Sequence, residues 1–527
     1  MEKKQTVFLI IVVVVLAVVG YFYYSLDNIQ ASPGELTRSI TPTEIQCTDQ
    51  DGDNTFIDSY VLVGSDEGLP SQIHDSCDAN GKINEQICEG NEPSSFTEPC
   101  SDGFACQESA CRGVPEWTQT DFLTASDSAE NDYFGGSVAV SGDVMVVGAY
   151  YDDDLGSNSG SAYVFRDDGN QWVQEQKLTA YDGDVSDMFG ASVAIAEDMI
   201  AIGAYGDDDM GGSSGSVYIF RYDGNQEQWV FKQKLTAFDG ATGSNFGKSI
   251  GLSNDALVIA AHLDDAPGEG FGSAYVFRYD GNQEQWVFKQ KLTASDGAAN
   301  DFFGSSVSIS GDVIAIGAWR DDDGLGSAYV FRYVGDQWEE DQKLSASDGA
   351  AGDYFGESLS TDGDTIVVGA WRSKSYDGSA YVFRYENNQW IEKQMLTVST
   401  PSDTRFSYSI AVFENMLVVG ATNPYYGDKI GKAHVFKYDF SVSAWVEEVV
   451  LQGDPSSQVN NFGGSVGTDG DSIVVGAYSD SGSVPEAGSA FVFQKRCNFI
   501  SDLDGDGDVD EDDADIFMEQ FGATCGE

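Results

Sequence analysis

The stretch from Leu292 to Phe331, "LTASDGAANDFFGSSVSISGDVIAIGAWRDDDGLGSAYVF", decides the fold, because close copies of it run across most of the chain. Three markers recur in phase. A Phe-Gly pair falls at Phe134, Phe189, Phe246, Phe303, Phe355 and Phe462, with Phe406-Ser407 as a degenerate member. A "GA" closes the next apolar run, as at Gly148-Ala149, Gly203-Ala204 and Gly317-Ala318. A "GSAYVF"-like segment then ends at Phe165, Phe220, Phe277, Phe331, Phe383, Phe436 and Phe493. Self-similarity at such a period marks a repeat architecture and has to be read before any local motif.

Each unit reads as four short strands. "SVAVS" and "VMVVGA" in the first unit are apolar runs joined by the turn Ser141-Gly142-Asp143, and "GSAYVF" is the third strand. The fourth, such as "QWVFKQKLT" from Gln228, alternates, so that Trp229, Phe231, Gln233 and Leu235 are expected on one side and Val230, Lys232 and Lys234 on the other. Such a half-polar strand suits an outer edge, and Asp223-Gly224-Asn225 supplies the hairpin before it. The tryptophan of this strand occurs at Trp117, Trp172, Trp229, Trp286, Trp338, Trp390 and Trp445. The first copy precedes the first Phe-Gly pair, and the last unit stops at Phe493 after its third strand. In a ring, the orphan N-terminal strand completes the final unit. The expected fold is therefore all-β, a seven-bladed β-propeller over residues 113–496 closed by an N-terminal strand.

These repeats resemble FG-GAP repeats, the blades of the integrin α-chain propeller and of many exported prokaryotic propellers. "GAY" or "GAW" stands where the family name has "GAP". The resemblance implies a ligand-binding or adhesion domain outside the cell, or an ectodomain attached to an enzyme. Integrin calcium blades carry a D-x-D-x-D-G-x-x-D loop between strands one and two. Here that connection is only "SGD" or similar, so those calcium sites do not carry over.

The flanks read differently. Lys3 and Lys4 precede an uncharged apolar run at residues 7–24, just long enough to span a bilayer and ending in the aromatic cluster Tyr21 to Tyr24. With no A-x-A cleavage site nearby, it reads as an uncleaved signal anchor rather than a cleaved signal peptide. That leaves residues 1–6 as a cytoplasmic stub, 25–46 as a linker, and the bulk of the chain outside a cell membrane crossed once. Six cysteines lie between Cys47 and Cys111, and the last two are Cys497 and Cys525. No C-x-x-C pair occurs among them, so residues 47–112 read as a disulfide-stapled spacer in an oxidising compartment. With 87 acidic against 27 basic side chains and a net charge of −60, the chain is expected to bind no nucleic acid.

The sharpest chemical motif is C-terminal. "DLDGDGDVDEDD" places Asp502, Asp504, Asp506, Asp508 and Asp510 at alternate positions, with a turn at Gly507 and Asp513 at position 12. Calcium takes six to eight oxygens, and this spacing wraps them around one ion, so Ca2+ is the expected cofactor of a module at residues 497–527. The segment resembles one half of a dockerin, although a full dockerin has two such loops.

The propeller's aspartates sit in two loop classes, between strands two and three and between blades, which share one face because strand polarity alternates. Asp152, Asp154, Asp207, Asp209, Asp321 and Asp323 are candidate weak cation ligands; solvated turn residues would look the same. Basic and aromatic residues interrupt the acidity at Trp371, Arg372, Tyr376, Tyr425 and Tyr426, a candidate ligand patch. Two G-x-S-x-G matches, around Ser249 and Ser465, lie in strands whose serine recurs in other blades, so a structural role is expected and no catalytic residue is assigned. Together these features describe a membrane-tethered, calcium-binding adhesion or ligand-binding propeller with an extracellular protein or glycan partner. A glycan-active enzyme with a carboxylate pair, or a passive envelope component, is the alternative.

Overall fold

In the computed structural model each repeat is a four-stranded antiparallel meander. The first is built from Phe134–Ser141, Val144–Ala149, Ser161–Asp167 and Trp172–Leu178. Six further sheets repeat this order. The structure describes residues 115–264, 270–398, 405–422, 431–453, 461–481 and 484–497. It also describes short strands between residues 46 and 113, two three-stranded sheets and one hairpin, in a unit separate from the propeller. The apolar run at residues 7–24, the cysteine side chains of the spacer and the acidic loop from Asp502 to Asp513 lie outside the described residues.

Ring closure follows the predicted phase. The seventh sheet takes Phe462–Thr468, Ser472–Ala477 and Ser489–Cys497 from the C-terminal end, and its outer strand is Pro115–Leu123. The two chain ends pair from Pro115 opposite Cys497 to Leu123 opposite Ala490.

The second strand of every blade is apolar and wholly buried, because it has sheet neighbours on both edges and a neighbouring blade on each face. The cores lie between blades. Val146 and Val164 of the first blade, for example, pack on Ile200, Ile202, Tyr218 and Phe220 of the second. The closing seam is of the same kind, with Leu123, Val474 and Val492 against Phe134, Met145 and Tyr163.

Two series of hydrogen bonds stitch the seams. On the inner strands of every blade but the third, the serine three residues after the Phe-Gly phenylalanine donates to the carbonyl of the residue after that phenylalanine in the next blade. Ser137 does so to Gly190 at 2.8 Å, Ser192 to Gly247 at 2.7 Å, and Ser465 closes the circle to Gly135 at 2.8 Å. On the outer strands a glutamine side chain pairs with both backbone groups of the next blade's tryptophan, as Gln176 does with Trp229 at 2.8 and 2.9 Å. Gln233, Gln290, Gln342 and Gln394 repeat the clamp. The recurrent serine is structural, as its repetition in the sequence suggests.

The inner seam requires glycine. Gly203 of "GA" has no room for a side chain, since a Cβ there would lie 2.2 Å from the Gly247 carbonyl oxygen. The third blade has Ala260 in that place. There Ser249 accepts from the Val307 amide at 3.0 Å instead of bonding Gly304. The degenerate Ser407 holds the left-handed conformation (φ 71°) that glycine holds elsewhere, and its hydroxyl bonds the Ser379 carbonyl at 2.7 Å.

The outer strand departs from simple alternation. A bulge sets Phe231 opposite Phe220 but Gln233 opposite Ile219, so Trp229 and Leu235 are buried while Phe231 is exposed. The extra residue re-aims the strand and places Lys234 directly opposite Tyr218.

Candidate functional site

The acidic loops do share one face, and their aspartates divide by role. Tyr163, the tyrosine of "SAYVF", donates at 2.8 Å to Asp127 of the inter-blade loop and at 2.8 Å to Asp152 of the two-to-three loop. The bulged outer strand delivers Lys177 to the same place, 2.7 Å from Asp127, 2.9 Å from Asp152 and 2.5 Å from Asp154. The second blade repeats this with Tyr218, Lys234, Asp182, Asp207 and Asp209. Tyr275 and Lys291 serve Asp239 and Asp264 in the third, and Tyr329 and Lys343 serve Asp296, Asp321 and Asp322 in the fourth.

Of the six propeller aspartates singled out from sequence, five are therefore gathered around a lysine ammonium. Asp323 is not; its neighbour Asp322 takes the place. Burial presses the Asp127 carboxyl upward, but hydrogen bonds from Lys177 and Tyr163 outweigh it and hold the group below its ordinary range. Burial alone would lower Lys177, yet its three carboxylates raise it. Asp127, Asp152 and Asp154 also have the mutual spacing of a metal-ligand set, with oxygens within 4.8 Å of one another. In the fifth blade Met395 stands opposite Tyr381 and Ser373 replaces the buried aspartate; a loop lysine, Lys374, pairs with Asp348 instead.

The second aspartate of each Asp-x4-Asp pair caps its own loop. Asp132 accepts the Ala129 amide at 2.6 Å and Asp187 the Asp184 amide at 2.7 Å. Both are buried, and this desolvation, reinforced by Asp152 and Asp207 respectively, pushes each carboxyl up to about 6.

The same face carries a second feature around the propeller axis. Three columns of the repeat converge there: the residue before each Phe-Gly, the residue after it, and the residue after "GA". From the first blade come Tyr133, Tyr150 and Tyr151, and Tyr133 lies 5.7 Å from Tyr478 of the seventh. The second gives Tyr205, with the Lys248 ammonium of the third 4.5 Å over its ring. His262 lies 6.1 Å from Phe302, which stacks on Trp319 at 5.2 Å, and Trp319 meets Tyr354 at 4.3 Å. Tyr354 reaches Trp371, and Trp371 reaches Tyr408 of the sixth blade at 6.1 Å. A hydrogen bond between Tyr408 and Tyr478 links the sixth blade to the seventh.

The circuit is not uniform. Blades seven, one and two contribute tyrosines; blades three to six contribute Lys248, Arg320, Arg372 and Arg405 among Phe302, Trp319, Tyr354 and Trp371. The Arg372 guanidinium lies 4.3 Å over Tyr354, 5.0 Å over Trp371 and 5.2 Å over Tyr376. Glu357 accepts the Trp371 indole N–H in the middle of these cations. Burial pushes the Glu357 carboxyl up and the Lys248 ammonium down, and burial beside Lys248 depresses His262 to about 4.

Trp371, Arg372 and Tyr376 of the sequence-derived patch are thus together, while Tyr425 and Tyr426 lie outside the described residues. Sequence reading missed Lys248, Phe302, Trp319, Arg320, Tyr354 and Arg405. Stacking the seven repeats and reading down the three axial columns would have found all but Arg320, which stands one residue beyond the third column.

The match to a family model agrees with this architecture. The chain matches the FG-GAP repeat family at residues 117–165, 172–220, 229–277, 286–331, 338–383 and 445–493, together more than half of its length. The unit between, with Phe406-Ser407 and His434 in place of the tyrosine, is not among the matched segments. Among solved structures, Sqt1 of Saccharomyces cerevisiae is similar over 72% of this chain and 100% of that one, at 10% identity and a TM-score of 0.42.

Proposed function

Since the chain belongs to the FG-GAP repeat family, we propose that it is an exported, membrane-tethered adhesion protein that binds a surface partner on the axial rim of its acidic face. One observation carries this reading. In a chain with 87 acidic and 27 basic side chains, four cations converge on one aromatic rim. Aromatic and arginine side chains are the usual anchors of an interface. The apolar run at residues 7–24 supplies the tether, and the loop from Asp502 to Asp513 binds one calcium ion.

A binding role is favoured over catalysis because the two G-x-S-x-G serines are held in blade seams, Ser465 by Gly135 and Ser249 by Val307. Binding of the fluorescently labelled full-length chain to isolated cell-envelope fragments tests the reading. Arg372→Ser with Trp319→Ser is expected to lower binding at least about tenfold, equivalent to about 1.4 kcal/mol. Undiminished binding by a folded double variant would overturn it.

A further inference from the structure

The rim cations differ from the other basic side chains of the face in a way that specifies what they await. Lys177, Lys234, Lys291, Lys343 and Lys374 each hold at least one carboxylate. Among the described residues, Lys248, Arg320 and Arg372 hold none in an ion pair, although acidic groups outnumber basic ones about threefold in the sequence. Glu357 is the carboxyl whose field reaches Lys248, Arg372 and Arg405 together, and it is already bonded to the Trp371 indole. Arg372 is half-buried, its guanidinium over the Tyr354, Trp371 and Tyr376 rings, and Arg320 is exposed. A guanidinium lying flat on rings has its faces covered and its N–H edge left to donate, the geometry that grips a planar carboxylate with two parallel bonds.

Across the axis the rim offers tyrosines, and between them half-exposed ring faces at Phe302, Trp319 and Tyr354. A sugar ring has a C–H face that lies on such aromatic surfaces and hydroxyls that bond phenols. The remainder of the face repels extended anions: beyond the rim stand the carboxylate clusters of the first four blades, each only partly neutralised by its lysine. A polyanion would have to cross them, whereas a chain with one terminal charge would not.

Resting on the rim reading above, we infer that the partner chemistry is a glycan bearing an isolated, terminal carboxylate sugar on an otherwise uncharged chain. The carboxylate meets the Arg320–Arg372 side, and the sugar face lies on Trp319 and Phe302.

The test is calorimetric titration of the full-length chain in detergent with four probes: a glucuronic-acid-terminated disaccharide, its methyl ester, the matching neutral disaccharide, and polyglucuronate. The free acid is expected to bind at least about tenfold more tightly than ester or neutral sugar, the size of one charge-assisted contact. Arg372→Gln should erase that preference. Polyglucuronate should bind more weakly per residue at low salt and recover as salt screens the surrounding carboxylates. Equal binding of acid and ester, tighter binding of the polyanion at low salt, or no binding of the acid would each overturn the inference. In those cases envelope binding separates the two ideas: if it is still lost in the Arg372 variant, the rim binds a partner of other chemistry, and if it persists, the rim is not the site.

Discussion

Replacing Lys177 with Met puts into the first blade the residue that the fifth carries naturally as Met395. The change removes the ammonium that three carboxylates share, while the Tyr163 hydroxyl keeps its bonds to Asp127 and Asp152. Asp127 and Asp154 are half-exposed, so their pairs are worth at most about 1 kcal/mol each. Asp152 is 4% exposed, and stripping one partner from a buried pair costs about 3–5 kcal/mol before relaxation. Lys177 retains some solvent contact, which screens the loss, so a net destabilisation of about 2–4 kcal/mol is expected. A domain of 150–250 residues loses about 2–4 °C of Tm per kcal/mol and a larger one less, so scanning calorimetry should show a fall of about 3–6 °C. Millimolar calcium should restore part of it, because the vacated carboxylates have ligand spacing. The C-terminal loop responds alike in both proteins, so the difference between them is the quantity to read. An unchanged Tm without calcium, or equal calcium shifts in variant and wild type, would refute the lysine's role as counter-ion.

Four further outcomes are expected. Asp132 and Asp187 titrate near 6 in the folded chain against an ordinary 3.8. The folded state therefore holds those protons more tightly, a stability gain present below pH 3.8 and lost as pH rises through about 6. Asp132→Asn with Asp187→Asn keeps the capping oxygens and should flatten the denaturation profile in that window by on the order of 2–3 kcal/mol per site. Gly203→Ala drives a Cβ to 2.2 Å from the next blade's carbonyl and should cost about 2–3 kcal/mol in urea unfolding. Ala260→Gly, which gives the third blade the usual residue, should change stability by less than about 1 kcal/mol and restore a Ser249 to Gly304 hydrogen bond in a crystal structure. Asp502→Ala should abolish binding of one calcium ion in titration calorimetry of the full-length chain; unchanged stoichiometry would remove the C-terminal loop as a calcium site.

The architecture was legible because its signals repeat. Seven Phe-Gly positions and an orphan Trp117 strand set both the blade count and the closure, and the register of Pro115–Leu123 against Ser489–Cys497 agrees. The outer-strand bulge left no local trace, since Lys232 looks like one more polar residue in an alternating run. The aspartates were ambiguous for a related reason. A turn aspartate facing water and one facing a lysine are the same letter, and Lys177 lies 50 residues from Asp127 and 25 from Asp152. The axial rim was hidden by its period, because its members are one repeat apart and no short window holds two blades.

The strand that closes the ring also sets how the propeller bears load. Pro115–Leu123 enters the acidic face at Leu123, the side of the rim, and starts from Pro115 on the opposite side. A pull transmitted through residue 114 against a partner held on the rim would run along this strand rather than across it. Its ladder with Ser489–Cys497 would then be sheared, every rung strained at once, instead of being peeled rung by rung from one end. The Ser465–Gly135 bond and the Leu123 core would resist in the same instant. Under the proposed tethered role, tension would meet the seam where the circle could open along its shear direction.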